Sequence, residues 1–327
     1  MSRKAFAASD AEWAYHGGEL VRMGEIRLSP ATHALNYGTG VFEGIRAYWS
    51  EERGTLQVLK IREHYERFEK SCRLLRIDLP LGVDELCDTT LEILRRNAPR
   101  VDTYIRPLAF KAVESVGVNL TGESELSIFT VPMGNYVELT GLKVCVSSWR
   151  RTPDNAIPAR AKCTCSYVNT ALAVDEAHRG GYDDAIFLTQ AGQVSEASAA
   201  NIFLVRKGEL ITPPVTADIL EGITRDAVME LAGKELGMPV IEREVGRTEL
   251  YAADEVFLSG TGFQIAPVVE VDDRPIGTGG IGPVVERLQE LYFKAARGAW
   301  RVGRVRRLDG GRRGCGRSEA VRYCHPS

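Results

Sequence analysis

Three glycines within seven residues set the first limit on this fold: Gly38, Gly40 and Gly44 in residues 35–48, LNYGTGVFEGIRAY. Glycine loses more backbone entropy than any other residue on entering a helix, so no stable helix runs through them. Residues 44–48 read instead as a strand entered from a loop built for close backbone approach. Upstream, residues 13–27 alternate about His16-Gly17-Gly18-Glu19 and read as a hairpin. Downstream, Tyr65, Phe68, Cys72 and Leu75 make a helical stripe in residues 62–76. Arg62, Arg67 and Arg73 surround it, and one of them could reach a phosphate. Residues 84–96 read as a second helix. Residues 103–110 form a strand whose two-residue period puts Tyr104 and Arg106 on one face, a pairing that suits a carboxylate. A strand at 126–131 ends this half, and a connector begins at Pro132.

In the second half, a strand at 143–148 and a loop at 152–158 lead to Ala161-Lys-Cys-Thr-Cys-Ser-Tyr-Val-Asn169. Small, uncharged side chains flank Lys162, and no charge follows before Asp175. A lysine so placed can be desolvated, which lowers its pKa and makes the amine nucleophilic. Tyr167 lies five residues on, in a segment leading into a helix over 169–179 that Gly180-Gly181 stops. Strands at 184–189 and 194–205 flank a turn at Ala191-Gly192, with Glu196 an acid among small residues. A glycine turn at Gly222 opens a helix at about Ile223 that ends at Gly237. Its first amides and the Thr224 hydroxyl are suited to a phosphate. Gly260-Thr261-Gly262, after a strand at 255–259, is a second turn suited to an oxyanion. Neither a G-x-G-x-x-G nor a Walker motif directs the chain toward a dinucleotide or ATP. A last helix spans 283–296.

A length of 327 residues suits two domains, and 44% hydrophobic with 26% charged residues is the composition of a soluble globular protein. No apolar run reaches the roughly 20 residues of a membrane span, and the first 30 residues lack the plan of a signal peptide, so the expected location is cytoplasmic. Seven scattered cysteines, without paired spacing or nearby histidines, point to free thiols and no metal site. The net charge of -3 is unevenly spread. From Arg297 onward there are nine arginines, no lysine and two acids, a net +7 that leaves -10 on residues 1–296. An acidic body speaks against nucleic-acid binding. The end of the chain has no periodicity and is expected to lack packed structure. Arginine without lysine, amid abundant glycine, is also what GC-rich codons give when read out of frame.

In combination these blocks resemble the fold-type IV pyridoxal-phosphate enzymes, and among them the branched-chain amino acid aminotransferases of class IV. The resemblance spans residues 10–297. It rests on YGTGVFEGIRAY (37–48), REHYERF (62–68), YIRP (104–107), GVN (117–119), Lys162 with Tyr167, GYDDAIFL (181–188), VSEASAANIF (194–203), ILEGITR (219–225) and SGT (259–261). It implies an α/β (α+β) fold of two domains with the cofactor at their interface. A smaller N-terminal α/β sandwich would take residues 1–131, a connector 132–140, a larger pseudo-barrel domain 141–297, and an Arg/Gly-rich tail 298–327.

The same resemblance implies reversible transamination of leucine, isoleucine and valine with 2-oxoglutarate through a Lys162 Schiff base with pyridoxal 5'-phosphate. Tyr167 would bond the cofactor's phenolate oxygen and Glu196 its pyridinium. Arg62, Ile223, Thr224 and Thr261 would hold the phosphate, and Leu220 would pack on the ring. Phe42, Tyr37, Tyr136 and Val118 would form the apolar substrate pocket. Tyr104 with the amides of Thr261 and Gly262 would take the α-carboxylate, and Arg106 the distal carboxylate of glutamate. Tyr37 and Val118 would serve the neighbouring subunit, so a homodimer, or a higher oligomer such as a hexamer, is expected, with no nucleic-acid or membrane partner. A D-amino acid or amine transaminase and, in another reaction class, aminodeoxychorismate lyase are the alternatives. Cys163, Cys165 and Ala197 stand where the family usually has glycines.

Overall fold

The turn His16-Gly17-Gly18-Glu19 closes the hairpin its sequence predicts: β1 (Trp13–His16) and β2 (Glu19–Arg22) pair antiparallel, with both glycines at positive φ. The computed structural model describes residues 6–298 and the backbone of 319–322. A short α1 (His33–Tyr37) stops at Gly38, which takes φ 67° as its left-handed cap. Then follow β3 (Gly40–Phe42), β4 (Ile45–Ser50), β5 (Thr55–Val58), α2 (Ile61–Leu74), α3 (Val83–Asn97), β6 (Thr103–Lys111) and β7 (Ser124–Pro132). Helix α2 buries Ile61, Tyr65, Phe68 and Cys72 along the predicted stripe. In β6 and β7 nine residues pair in unbroken register, from Thr103 opposite Pro132 to Lys111 opposite Ser124.

The second half contains β8 (Leu142–Arg150), α4 (Tyr167–Arg179), β9 (Asp184–Leu188), β10 (Val194–Ala197), β11 (Asn201–Arg206), β12 (Glu209–Thr212), α5 (Ile223–Glu235), β13 (Val240–Glu242), α6 (Arg247–Tyr251), β14 (Glu255–Gly260), β15 (Gln264–Val271), β16 (Arg274–Pro275) and α7 (Pro283–Ala296). Its sheet runs β10-β9-β8-β15-β14-β11-β12-β13, with β16 beside β15. The continuous strand expected over 194–205 is broken into β10 and β11. The backbone turns at 198–200, where Ala197 N donates to Ala200 O (2.8 Å), and the two halves find different neighbours, β9 and β14. Along β11, Ile202 and Leu204 enter an aliphatic core with Leu258, Ala266 and Val268. Phe203 stacks flat on Phe257 of β14, 5.0 Å between centroids.

Two compact units emerge from this chain. One comprises residues 6–134, Ala161–Cys165 and the described residues from Lys294 onward; the other comprises Asn135–Arg160 and Ser166–Phe293. The pentapeptide carrying Lys162 therefore groups with the N-terminal half. The reason is main-chain pairing: Phe42 N donates to Lys162 O (3.0 Å), Thr164 N to Gly40 O (2.9 Å), and Val41 bridges to Cys163.

The tail departs from expectation at four residues. Strand β17 (Glu319–Arg322) pairs antiparallel with β5, completing the order β17-β5-β4-β6-β7-β1-β2, with β3 beside β6. An exposed strand edge offers unpaired amides and carbonyls to any segment able to extend along it. The remainder of the predicted unstructured tail lies outside the described residues.

The Phe203–Phe257 stack holds the centre of the second sheet, and both rings are fully buried. Phe257→Ala is expected to destabilise the protein by about 3–5 kcal/mol, read as a lowered midpoint in urea unfolding.

Candidate active site

In the N-terminal unit the site grows from β3, β6 and α2. Because residues alternate along β6, Tyr104 and Arg106 share a face, and Arg106 Nη2 donates to Tyr104 Oη (3.1 Å). The Arg106 guanidinium lies over the Phe42 ring (4.3 Å), and Lys162 Nζ lies over the same ring at 4.9 Å. Arg106 Nε is buried and has no hydrogen-bond partner among the described residues. Gly44 makes room for this cluster, since a Cβ there would sit 2.2 Å from Tyr104 Oη.

Lys162 is half-buried, and its amine is pushed down to about 8. Desolvation is the main cause, followed by the positive charge of Arg67, with Glu43 opposing. The charges behind this effect form a buried group. Arg67 Nε and Nη2 grip Glu43 Oε1 and Oε2 at 2.7 and 2.9 Å, and Glu43 is fully buried. Glu43 Oε2 also accepts from His64 Nδ1 (2.8 Å) and Gly44 N (3.2 Å). Burial alone would raise the Glu43 carboxyl, but the Arg67 charge and these hydrogen bonds hold it well below the usual carboxylate range. Burial lowers His64, so its ring is neutral near pH 7.

Tyr37 and Val118 are brought together in the same unit, where Gly117 N donates to Tyr37 Oη (3.1 Å). His33 of α1 holds the loop by bonding Gly117 O through Nε2 (2.9 Å). Val118 is 86% exposed and Val116 90%. Arg62, in the first turn of α2, is ion-paired with the exposed Asp84.

In the second unit Glu196, on β10, is buried and both its oxygens are engaged. Arg151 Nη2 lies 2.5 Å from Oε1; Asn201 Nδ2 (3.0 Å) and Leu220 N (3.2 Å) donate to Oε2. Asn201 also donates to Leu220 O (2.9 Å), which fixes the turn before α5. Gly222 is required by contact, not by φ: a Cβ there would lie 2.0 Å from Asn201 Oδ1. The N-terminus of α5 has no side-chain cap, so Ile223 and Thr224 present first-turn amides. Thr261 and Gly262 form the turn between β14 and β15, and a Cβ at Gly262 would meet the Tyr136 ring at 3.3 Å. Two residues earlier, Ser259 Oγ is buried without a partner among the described residues. Tyr167 begins α4 and is half-buried. Ala197 is fully buried yet is not among the residues with positive φ, so its Cβ is accommodated without backbone strain.

Glu43, His64, Ser71, Arg151 and Asn201 were not singled out by sequence. The α2 residues left a signal, because His64 and Ser71 sit on the stripe that Ile61, Tyr65, Phe68 and Cys72 bury. A polar residue at a core position asks for a buried partner. No spacing links Arg151 to Glu196 or Asn201.

With this geometry in view, residues 40–271 match the family model for amino-transferase class IV. The chain belongs to the class IV aminotransferases. Among its relatives, the "Probable branched-chain-amino-acid aminotransferase" of Aquifex aeolicus is 47% identical, over 88% of this chain and 93% of that protein. The branched-chain-amino-acid aminotransferase of Escherichia coli (strain K12) is 40% identical over 86% and 92%. A solved T.th. branched-chain amino acid aminotransferase, complexed with N-(5'-phosphopyridoxyl)-L-glutamate, superposes with a TM-score of 0.83 at 40% identity, over 88% of this chain and 95% of that one.

Gly222→Ala is expected to displace Asn201 and loosen the hold on Glu196 Oε2, at a cost of roughly 1–3 kcal/mol. Urea unfolding measures the cost, and a crystal structure of the variant should show the Asn201 amide turned away.

Proposed function

We propose that this chain is a branched-chain amino acid aminotransferase that moves the amino group of leucine, isoleucine or valine reversibly to 2-oxoglutarate, with pyridoxal 5'-phosphate as cofactor. The observation that carries this reading is the Lys162 amine, pushed down to about 8 and set over Phe42 on the side of Tyr104 and Arg106, in a chain of this family. The relatives named above are branched-chain aminotransferases, and one was solved with a phosphopyridoxyl compound. The residues suit the cofactor. An uncapped helix N-terminus at Ile223 and Thr224, with the unpartnered Ser259 hydroxyl near Thr261, suits a phosphate, and a buried, ion-paired Glu196 suits a protonated ring nitrogen. When bound, pyridoxal phosphate supplies the electron sink for the bond broken at the substrate Cα.

The chain's own groups do the rest. Lys162 would bond the cofactor and, once displaced by the substrate amine, would move the proton to and from Cα; a free amine with a pKa near 8 can give and take protons near neutral pH. Glu196, ion-paired with Arg151, would hold a proton on the ring nitrogen. Tyr167 would bond the phenolate oxygen and Leu220 pack on the ring, while Arg62, Ile223, Thr224 and Thr261 would hold the phosphate. Tyr104 with the Thr261 and Gly262 amides takes the α-carboxylate. Arg106, whose Nε lacks a partner among the described residues, takes the distal carboxylate of glutamate. Phe42 and Tyr136, with Tyr37 and Val118 from a second copy, form the apolar pocket. The exposure of Val116, Val118 and Leu35 beside Tyr37 supports a homodimer as the working unit. Among the described residues the cysteines form no disulfide, which suits a reducing compartment such as the cytoplasm.

Adding L-leucine to the loaded enzyme should move its visible absorption to the near ultraviolet, and 2-oxoglutarate should restore it. A response to D-alanine or a primary amine, with none to L-leucine, contradicts the substrate assignment. Lys162→Ala should lower multiple-turnover rates by at least about 10²–10⁴-fold. Competitive acylation of cofactor-free protein, read by mass spectrometry, tests the lysine itself. Only the neutral amine reacts, so labelling of Lys162 should rise with pH to a midpoint near 8 and then level off. A midpoint near that of an exposed lysine, about 10.4, contradicts the desolvated site.

A further inference from the structure

A closed circuit of contacts joins Lys162 to a buried ion pair that does not itself hold cofactor or substrate in the proposed function. Lys162 N donates to Ser71 Oγ (3.3 Å), and Ser71 Oγ donates to Arg67 O one turn earlier in α2 (2.9 Å). Arg67 grips Glu43 through two nitrogens. Glu43 follows Phe42, whose N–H donates to Lys162 O and whose ring lies under Lys162 Nζ. The circuit holds the lysine main chain at both its amide and its carbonyl, and it ties this segment to a fixed guanidinium and carboxylate whose charges act on the amine.

We infer that Arg67, clamped by Glu43 and His64, is a positioning residue that sets the proton affinity of the Lys162 nitrogen by presenting a fixed positive charge to it. A free arginine would swing to solvent and be screened. This one is held in a two-point grip against a fully buried carboxylate, where its field is strong. His64 is neutral, and its Nδ1–H occupies a lone pair of Glu43 Oε2, so it fixes the carboxylate without adding charge. The groups facing Lys162 within this unit are Arg67 from α2, Glu43 after β3, and Tyr104 and Arg106 from β6; Glu63 of α2 acts on His64. Arg67 acts on the amine more strongly than Glu43 does, so the pair does not cancel there. The consequence for the class IV reaction is a lysine more ready to lose its proton than burial alone would make it. The inference deepens the proposed function, since it assigns a control over the residue that would carry the cofactor.

The test follows Lys162 acylation against pH in cofactor-free, full-length protein. Arg67→Gln should raise the midpoint by about one pH unit and Glu43→Gln should lower it, as expected for removing a nearby charge of either sign. Arg67→Lys, which keeps the charge, should stay closer to the original midpoint than Arg67→Gln. Movement of both glutamine variants in the same direction, or of neither, overturns the inference, because a purely structural pair has no reason to give opposite signs. If the single variants do not fold, the double variant Glu43→Gln/Arg67→Gln carries the test, since it removes a buried charge of each sign. Its midpoint should still rise, by less than for Arg67→Gln, and an unchanged or lowered midpoint overturns the inference. The readout needs no cofactor. Failure of the cofactor reading would appear instead in the L-leucine half-reaction.

Discussion

The pairing of Ala161–Cys165 with the Gly38–Phe42 backbone is the interaction on which the site depends. Two main-chain hydrogen bonds, which make up the Val41–Cys163 bridge, tie a segment distant in sequence onto the sheet that contains Tyr104 and Arg106. Such pairing requires close approach. A Cβ at Gly38 would lie 2.7 Å from Cys165 Cβ, and one at Gly40 would lie 3.3 Å from both Phe110 Cβ and Thr164 Oγ1. The glycines that exclude a helix from residues 38–44 are thus also the ones that admit the lysine segment. Once its backbone is held, Lys162 is oriented over Phe42 and loses much of its water, and loss of water is the main reason its proton affinity falls.

Both units use one device to hold a carboxylate away from water. Glu43 is held by Arg67, an imidazole N–H and a backbone amide; Glu196 is held by Arg151, a carboxamide N–H and a backbone amide. In each, an arginine balances the charge while neutral donors fill the remaining lone pairs, the condition under which a buried ion pair is tolerable. Removing one partner of such a pair typically costs about 3–5 kcal/mol, far more than an exposed pair is worth. The two carboxylates serve different ends. Glu196 is proposed to act on the cofactor ring, while Glu43 anchors a charge that acts on the lysine.

Much of this was legible in the sequence, for identifiable reasons. The period of Tyr65, Phe68 and Cys72 gave α2, the two-residue alternation placed Tyr104 and Arg106 on one face, and the glycines at 17 and 18 gave the first hairpin. These are local signals. What escaped depended on contacts between distant residues: the break between β10 and β11, the placement of the lysine segment on the N-terminal sheet, and the Arg151–Glu196–Asn201 group. Gly222 illustrates the difference. Its sequence context marks a helix start, but the reason for glycine there is the Asn201 side chain, 21 residues upstream. Ala197 is the converse, a departure from the family's usual glycine that the backbone accommodates at ordinary φ.

The central claim is that Lys162, and no other lysine, bonds the cofactor. Treating the pyridoxal-phosphate-loaded enzyme with borohydride, digesting it and mapping the modified peptide tests this most directly. The expected result is the phosphopyridoxyl group on the peptide containing Lys162. Its recovery on another lysine, such as the buried Lys111, or on none, would contradict the claim.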